Sequence, residues 1–305
     1  MSPSNSGHCY RSIIDIQAAG SRLLTHLAER FDHSPLAEWQ TRLEAGEITL
    51  NGIPARGDEI LAAGQELLWW RPPWEEPSAP LHFELIHADA DLVLVSKPSG
   101  LPTLPGGGFH ENSLQALVQR EFPGVHAVHR LGRGTSGLVL FARHSRAARV
   151  ICTTWATAGK TYRALSQGVA ALDRYEIGVP IGPQFHPRLG EVFAANPEGK
   201  RAYSVARVVE RRAETTLFDV ELGTGRPHQI RIHLAAIGQP LVGDPLYTVG
   251  GFPLRDDPGL PGDGGYWLHA HRLSLVHPTD GDRREFVAPP PRILLTEGEL
   301  CVGGD

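Results

Sequence analysis

The sequence of 305 residues has few of the features that mark membrane, secreted or metal-binding proteins. Its three cysteines, Cys9, Cys152 and Cys301, have no paired spacing, which argues against a disulfide framework and against a zinc site. No apolar run reaches the roughly 18 residues that a membrane span requires. The first seven residues are polar and lack the apolar core of a secretory signal. We therefore predict a cytoplasmic protein without a membrane segment.

Lysine and net positive charge are also scarce. Only three of the 29 basic residues are lysines, namely Lys97, Lys160 and Lys200, and the formal net charge is −5. This charge argues against a protein that coats nucleic acid. Residues 120–149 nevertheless contain six arginines and a single acid, Glu121. That segment predicts an anion-binding surface with phosphate as its target, although a solvated arginine face is the alternative interpretation.

The pattern of apolar residues predicts two domains. Residues 10–70 have two helical repeats, then a strand that enters an Asn-Gly turn, and are expected to form a small α/β module. Residues 71–80 are rich in proline and predict a stiff linker. Residues 81–295 form the larger domain. Residues 1–80 carry six arginines and eleven acids, so contact with protein is an alternative to contact with RNA for the module.

Several segments of the larger domain have recognisable patterns. Residues 92–95 and 138–141 are short apolar runs typical of buried strands, and residues 217–222 alternate like a half-buried strand. Residues 228–237 suit a helix, with a proline at its first turn and a glycine after its end. The tail from Thr296 is expected to be loosely ordered.

Three phrases contain the residue types that carry chemistry. Residues 129–137 include the spacing G-x-G-x-x-G, but a strand follows them instead of the helix that a dinucleotide site needs, so nucleotide binding is not indicated. Their glycines are expected to allow tight turns and a close approach to a ligand. Tyr162 lies between basic residues, as suits a stacked base. Arg231 lies near the start of a short helix, where it can pair with a carboxylate or a phosphate. Asp244 is expected to be a turn residue.

Taken in order, these phrases resemble the RluA-type family of pseudouridine synthases. The matching segments are Asp91 to Leu101, His129 to Gly137, Lys160 to Leu165, Arg226 to His233, Gly238 to Tyr247 and Leu268 to Leu273. Residues 10–70 resemble the alpha-L type RNA-binding module that often precedes this domain. The resemblance implies an α+β fold with a mixed, largely antiparallel sheet and flanking helices, beside a small N-terminal α/β module.

The resemblance also implies a reaction, namely the isomerisation of uridine to pseudouridine in structured RNA, ribosomal or transfer, with no cofactor and no metal. The base must leave the helix, and Arg130 matches the residue that fills the gap. Tyr162 matches the ring that stacks on the uracil, and Arg231 matches the arginine that keeps a carboxylate ionised. RNA contacts are expected from a set of basic residues, which are Lys97, Arg133, Arg143, Arg146 and Arg149.

One position departs from the family pattern. The family's essential aspartate is replaced by Gly132, which has no side chain to act as nucleophile or base. Another carboxylate, from Asp89, Asp91 or Asp244, could take its place. The chain could instead be an inactive RNA-binding paralogue, or the glycine-rich loop could hold an anion with backbone amides. The hypothesis common to these alternatives is that Arg231, Tyr162 and residues 129–137 meet in one cleft.

Overall fold

The computed structural model describes residues 5–31 and 33–302, and the chain divides into two compact units between Pro77 and Ser78. This boundary falls inside the proline-rich segment that was expected to be a linker. Within the described residues, every helix is too short or too polar to span a bilayer.

The N-terminal unit is a four-stranded antiparallel sheet with two helices. Its elements are β1 (His8–Ile13), α1 (Leu23–Arg30), α2 (Leu36–Glu44), β2 (Ile48–Leu50), β3 (Ile53–Pro54) and β4 (Glu66–Arg71). The strand order is β1-β4-β2-β3. The predicted helical repeats place Leu23, Leu27, Trp39 and Leu43 in the core. The Asn51–Gly52 turn has the two positive φ angles, 52° and 77°, of a tight hairpin. Strand β1 was not predicted from the sequence.

The larger unit is built on one long sheet. Its first half comprises β5 (Glu84–Ala88), β6 (Leu92–Lys97), α3 (Leu114–Glu121), β7 (His126–Ala127), β8 (Ser136–Ala142), α4 (Ser145–Thr154), β9 (Gly159–Gln167) and β10 (Arg174–Ile177). Its second half comprises β11 (Ile181–His186), β12 (Gly190–Ala195), β13 (Ser204–Arg211), β14 (Thr215–Leu222), α5 (Gln229–Ala236), β15 (Tyr247–Thr248), β16 (Phe252–Pro253), β17 (Leu268–Val276), β18 (Arg283–Val287) and α6 (Glu297–Val302).

The sheet has ten strands in the order β10-β13-β14-β9-β17-β8-β6-β5, with β18 paired to β17 and β7 paired to β8. All neighbours are antiparallel except β8 and β17, which run parallel. The prediction of an α+β fold with a mixed, largely antiparallel sheet is therefore confirmed. The apolar runs predicted as strands lie in β6, β8 and β14, and strands β6 and β8 are almost fully buried.

Strand register brings distant parts of the chain to one edge of this sheet, where neighbouring strands begin or end. The loop before β8 and the start of β17 lie together, because these two strands are parallel neighbours with His269 opposite Ser136. Tyr162 in β9 is opposite Ala270 on one side and Val220 on the other. The chain leaves β14 just after Val220 and soon enters α5. Residues 129–135, Tyr162 and the start of α5 therefore meet.

Two of the glycines in the signature loop are required by close packing. A Cβ on Gly137 would lie 2.3 Å from the carbonyl oxygen of Ala270, and φ is 103° at this glycine. A Cβ on Gly134 would lie 2.7 Å from the Cα of Gly264. These glycines thus permit contact between segments of the chain, and not the close approach of a ligand that the sequence suggested.

The C-terminal segment corrects another expectation. Within the tail that was expected to be loosely ordered, Glu297–Val302 form α6, and Glu299 in this helix accepts a hydrogen bond of 2.9 Å from the buried guanidinium of Arg163. Arg163 also donates to Asp219 at 2.7 Å, so the two carboxylates balance its charge. The sequence pattern did not reveal this partnership because Arg163 and Glu299 are 136 residues apart.

Candidate active site

Arg130, Gly132, Tyr162 and Arg231 line one cavity of about 110 Å³ at this edge of the sheet. Arg130, Gly132, Arg226 and His228 also line an adjoining cleft of about 560 Å³. We call the cavity and this adjoining cleft together the central cleft. The larger part falls in the range of roughly 300–1,000 Å³ that is usual for small-molecule sites. The structure thus places the three predicted groups on one cleft.

A buried ion pair forms one wall of the central cleft. Arg231 donates from Nε and from one terminal nitrogen to the two carboxylate oxygens of Asp244, both at 2.7 Å. Their side chains are only 2% and 1% exposed. Burial opposes the charge on Arg231, but the hydrogen bonds that the guanidinium donates to Asp244 raise its pKa above the ordinary value. The guanidinium therefore keeps its charge and is fixed in place.

Two tyrosine rings hold the same guanidinium. The Cζ atom of Arg231 lies 4.3 Å from the ring centroid of Tyr266 and 4.9 Å from that of Tyr247. These cation–π contacts restrict the guanidinium in the directions that the Asp244 carboxylate does not. The hydroxyl of Tyr266 is hydrogen-bonded to Thr135 at 3.1 Å, which links this wall to the loop on the opposite side.

Asp244 has the turn role that was predicted for it. One carboxylate oxygen accepts hydrogen bonds from the backbone N–H groups of Leu246 and Tyr247, at 2.9 and 3.0 Å. With the two bonds from Arg231, this carboxylate has four donors. It is not among the lining residues of the central cleft. Arg231 was expected to pair with a carboxylate or a phosphate, and in the structure its partner is Asp244, which is not presented to a ligand.

The other two candidate carboxylates lie outside the central cleft. Asp89 accepts hydrogen bonds from His87 at 2.7 Å and from His277 at 3.1 Å, while Asp91 accepts from the Thr279 hydroxyl. Ligand atoms of Asp89, Asp91 and His277 lie within 4.8 Å of one another, as a metal site would require. Each already has a hydrogen-bond partner, and the guanidinium of Arg284 lies 3.5 Å from Asp89. This network is satisfied without an ion.

The loop wall of the central cleft contains Arg130 and Gly132. Arg130 is exposed and free to reach toward the solvent side. Gly132 does not have a positive φ, so its backbone would accept another residue. A Cβ there would lie 3.1 Å from the hydroxyl of Tyr266. In the described chain, no aspartate or glutamate lines the central cleft.

Tyr162 forms the floor beside these residues. Burial raises the pKa of its phenol to about 12, so the hydroxyl is protonated at neutral pH and the ring is an apolar surface with one polar end. Such a ring suits stacking on a planar base.

Lys97 requires a correction. It was expected to contact RNA, but its side chain is 1% exposed. Its ammonium donates to the carbonyl oxygens of Leu101, Pro98 and Arg133 at 2.7, 2.9 and 3.2 Å. All three N–H donors are used, so Lys97 ties its own turn to the signature loop. The compact ammonium fits a space where the planar guanidinium of arginine would not.

The remaining arginines fall into two groups. The first is Arg133, which borders the central cleft. Its guanidinium donates hydrogen bonds to the carbonyl oxygen of Gly262 at 3.0 Å and to the Asp263 carboxylate at 3.1 Å. The second group is exposed and lies just before α4 or in its first half, and it comprises Arg143, Arg146 and Arg149. They follow the far end of the seven-residue strand β8, which spans about 20 Å. The structure therefore does not bring them into the central cleft.

Sequence reasoning missed three residues that shape the central cleft, namely Arg226, His228 and Tyr266. Arg226 and His228 belong to the same phrase as Arg231, so the helix pattern could have indicated them. Tyr266 follows a segment rich in glycine and proline and gave no signal, because only the register of β17 places it beside Arg231.

The central cleft thus brings together a fixed arginine, a partly buried tyrosine ring and an exposed arginine at the end of this sheet. The family model described as RNA pseudouridylate synthase matches residues 91–236. An uncharacterized RNA pseudouridine synthase of Synechocystis sp. is 39% identical over 278 residues, which cover 90% of this chain and 96% of that protein. The chain belongs to the RNA pseudouridine synthase family.

Two other comparisons agree. RNA pseudouridine synthase 5 of Arabidopsis thaliana is 35% identical, with 97% of this chain and 96% of that protein covered. The solved structure of human RNA pseudouridylate synthase domain containing 4 has a TM-score of 0.55 and 22% identity, and covers 69% of this chain and 90% of that one. The latter likeness supports the fold.

Proposed function

We propose that this protein converts uridine to pseudouridine within structured RNA, ribosomal or transfer, and that the reaction occurs in the central cleft. The observation that carries the proposal is the convergence of Arg130, Tyr162 and Arg231 on one cleft in a member of this family. Neither a metal nor an organic cofactor has a part in it. A cytoplasmic location belongs to the same proposal, since the three cysteines are free thiols.

Each residue has a role that its position supports. Arg130 is exposed at the mouth of the cleft and fills the space that the extruded uridine leaves in the RNA. Tyr162 stacks on the uracil. Arg231 keeps a positive charge beside the base, where negative charge develops as the bond from the base to the ribose breaks. Its ion pair with Asp244 fixes its position before the substrate binds.

Further RNA binding is assigned to Arg133, at the border of the central cleft, and to three arginines outside it, Arg143, Arg146 and Arg149. The last three are exposed and close together in sequence, and they belong to a segment with a strong excess of arginine. If they contact phosphates, RNA affinity falls steeply as salt concentration rises, because the contacts release counterions. The N-terminal unit, which resembles an alpha-L module, is a further candidate RNA contact.

The test is the appearance of pseudouridine in RNA that initially contains none. Transcripts of ribosomal and transfer RNA are incubated with the protein, digested to nucleosides and analysed by mass spectrometry. We expect pseudouridine with the wild-type chain and a reaction about 5- to 160-fold slower with Tyr162→Ala, because loss of base stacking costs about 1–3 kcal/mol. Salt-sensitive binding of these RNAs without any pseudouridine would instead identify an inactive RNA-binding protein, the alternative that Gly132 raises.

A further inference from the structure

The central cleft poses a chemical question, because the isomerisation needs a group that accepts a proton. The bond from C1′ to N1 of the uracil breaks, a bond from C1′ to C5 forms, C5 loses a proton and N1 gains one. The family aspartate position is Gly132, and Asp244 is occupied by four hydrogen-bond donors. Arginines do not accept protons at neutral pH, and Tyr162 is a protonated phenol.

His228 is the imidazole among the residues that line both parts of the central cleft. Its backbone has φ of 54°, the left-handed region, immediately before α5. A residue with a side chain pays about 1 kcal/mol or more for this conformation, and such strain is concentrated at functional sites. The conformation turns the ring of His228 toward the cleft.

A chain of hydrogen bonds fixes the tautomer of this ring. The hydroxyl of Tyr247 donates its one proton to the carbonyl oxygen of Phe193, at 2.7 Å. It must therefore accept the hydrogen bond of 2.8 Å that it shares with Nδ1 of His228. Nδ1 then carries the proton, and Nε2 carries the lone pair.

The lone pair on Nε2 is available to a ligand. In the described chain, Nε2 has no protein partner. Among the described residues, the buried side-chain polar atom without a partner is Thr49 Oγ1, in the N-terminal unit. The unpaired Nε2 is therefore not buried, and it is open to the space of the cleft. Burial, and next the Arg231 cation, lower the pKa of His228 to about 4, so the imidazole is neutral at pH 7. The Asp244 carboxylate raises this pKa and Arg130 lowers it, each to a smaller extent.

We propose, on the basis of the proposed function, that His228 is the general base of this enzyme and that its Nε2 removes the proton from C5 of the isomerised uracil. When C5 has bonded to C1′ it carries both the ribose and a hydrogen. The proton passes to Nε2, and the electron pair of the C–H bond returns to the ring. The resulting imidazolium then gives a proton to N1, so no proton is gained or lost overall. A weak base suffices because the loss of the C5 proton restores the conjugation of the uracil ring.

Two variants separate this role from a structural one. His228→Asn keeps a residue that tolerates the left-handed region and an N–H donor for Tyr247, but it cannot accept the proton. His228→Gly removes the ring, and glycine suits the backbone at this position, so the fold is expected to remain. Loss of a general base usually slows a reaction by about 10² to 10⁴-fold.

The experiment measures release of tritium from RNA that contains uridine labelled at C5, together with pseudouridine by mass spectrometry. Both variants should lose at least about 100-fold in rate. Added imidazole should restore at least tenfold to His228→Gly, in proportion to its neutral form, and should not affect His228→Asn, whose side chain occupies the space.

Three results would overturn the assignment. The first is activity of either variant within threefold of wild type. The second is a folded His228→Gly protein that imidazole does not rescue. The third is equal rescue of His228→Asn. Failure of the proposed function itself is distinguishable, because in that case the wild-type chain forms no pseudouridine in any of these RNAs.

Discussion

The two walls of the central cleft differ in how firmly their polar groups are held. On one wall, Arg231 and Asp244 are buried, paired at 2.7 Å and enclosed by tyrosine rings. On the other wall, Arg130 is exposed and Gly132 offers no side chain. The difference suggests a division of labour, in which the first wall positions the base and the second adapts to the RNA. Mutations in the two walls should therefore have different consequences.

The largest effect is expected when the buried pair is broken. Asp244→Ala leaves the charge of Arg231 without a partner, which should lower the free energy of unfolding by about 3–5 kcal/mol. Urea denaturation monitored by circular dichroism measures the change. Asp263→Ala is the matched control, since it removes a half-exposed partner of Arg133 and should cost less than about 1 kcal/mol. Equal costs for the two variants would contradict the account of a fixed wall.

The exposed wall should respond in activity and not in stability. Arg130→Ala is expected to slow pseudouridine formation about 10- to 100-fold, because unstacking a base costs a few kcal/mol that the filler would otherwise offset. The melting temperature should stay unchanged. The comparison variant is Arg174→Ala, which removes a half-exposed arginine on β10. If Arg130→Ala unfolds the protein or leaves its rate unchanged, the division between the walls is wrong.

A buried histidine in β17 should make the free energy of unfolding depend on pH. Burial lowers the pKa of His269 in β17 to about 4, and its ring is hydrogen-bonded to Ser136 and to the carbonyl of Ala288. The unfolded chain then binds more protons than the folded one between pH 4 and about 6.5. The free energy of unfolding should therefore fall, by on the order of 2 kcal/mol, as pH decreases through this window. His269→Gln should reduce this slope; an unchanged slope would assign it to other groups.

The smallest expected effect is an increase in the rate of pseudouridine formation. Gly132→Asp restores the family carboxylate at a position whose backbone tolerates it, provided that Tyr266 shifts by a few tenths of an ångström to admit the new Cβ. The reaction should become a few-fold faster, as single-turnover assays would reveal. Gly132→Ala, which adds the Cβ alone, is the control. A folded Gly132→Asp protein that is slower than Gly132→Ala would mean that this wall no longer accepts a carboxylate.

Whether a feature could be predicted from the sequence depends on how far apart in the chain its contacting residues lie. Helices and strands followed from local apolar patterns, and Arg130, Tyr162 and Arg231 followed from the family resemblance. The roles of Lys97 and α6 did not follow, because they depend on partners such as Arg133 and Arg163 that are distant in sequence. The tautomer of His228 depends on Tyr247 and Phe193, which only the folded chain brings together.

The most direct test of the central claim is a crystal structure of the enzyme with an RNA substrate, in which the position of the extruded uracil is measured. We predict that the ring stacks on Tyr162, with a separation of about 4.5–7 Å between ring centroids, and lies within hydrogen-bond reach of Nε2 of His228. A second cavity of about 440 Å³, lined by residues that include Ser99, His269 and Pro290, is available in the same unit. A uracil bound there, or on any surface away from Tyr162 and Arg231, would contradict the account.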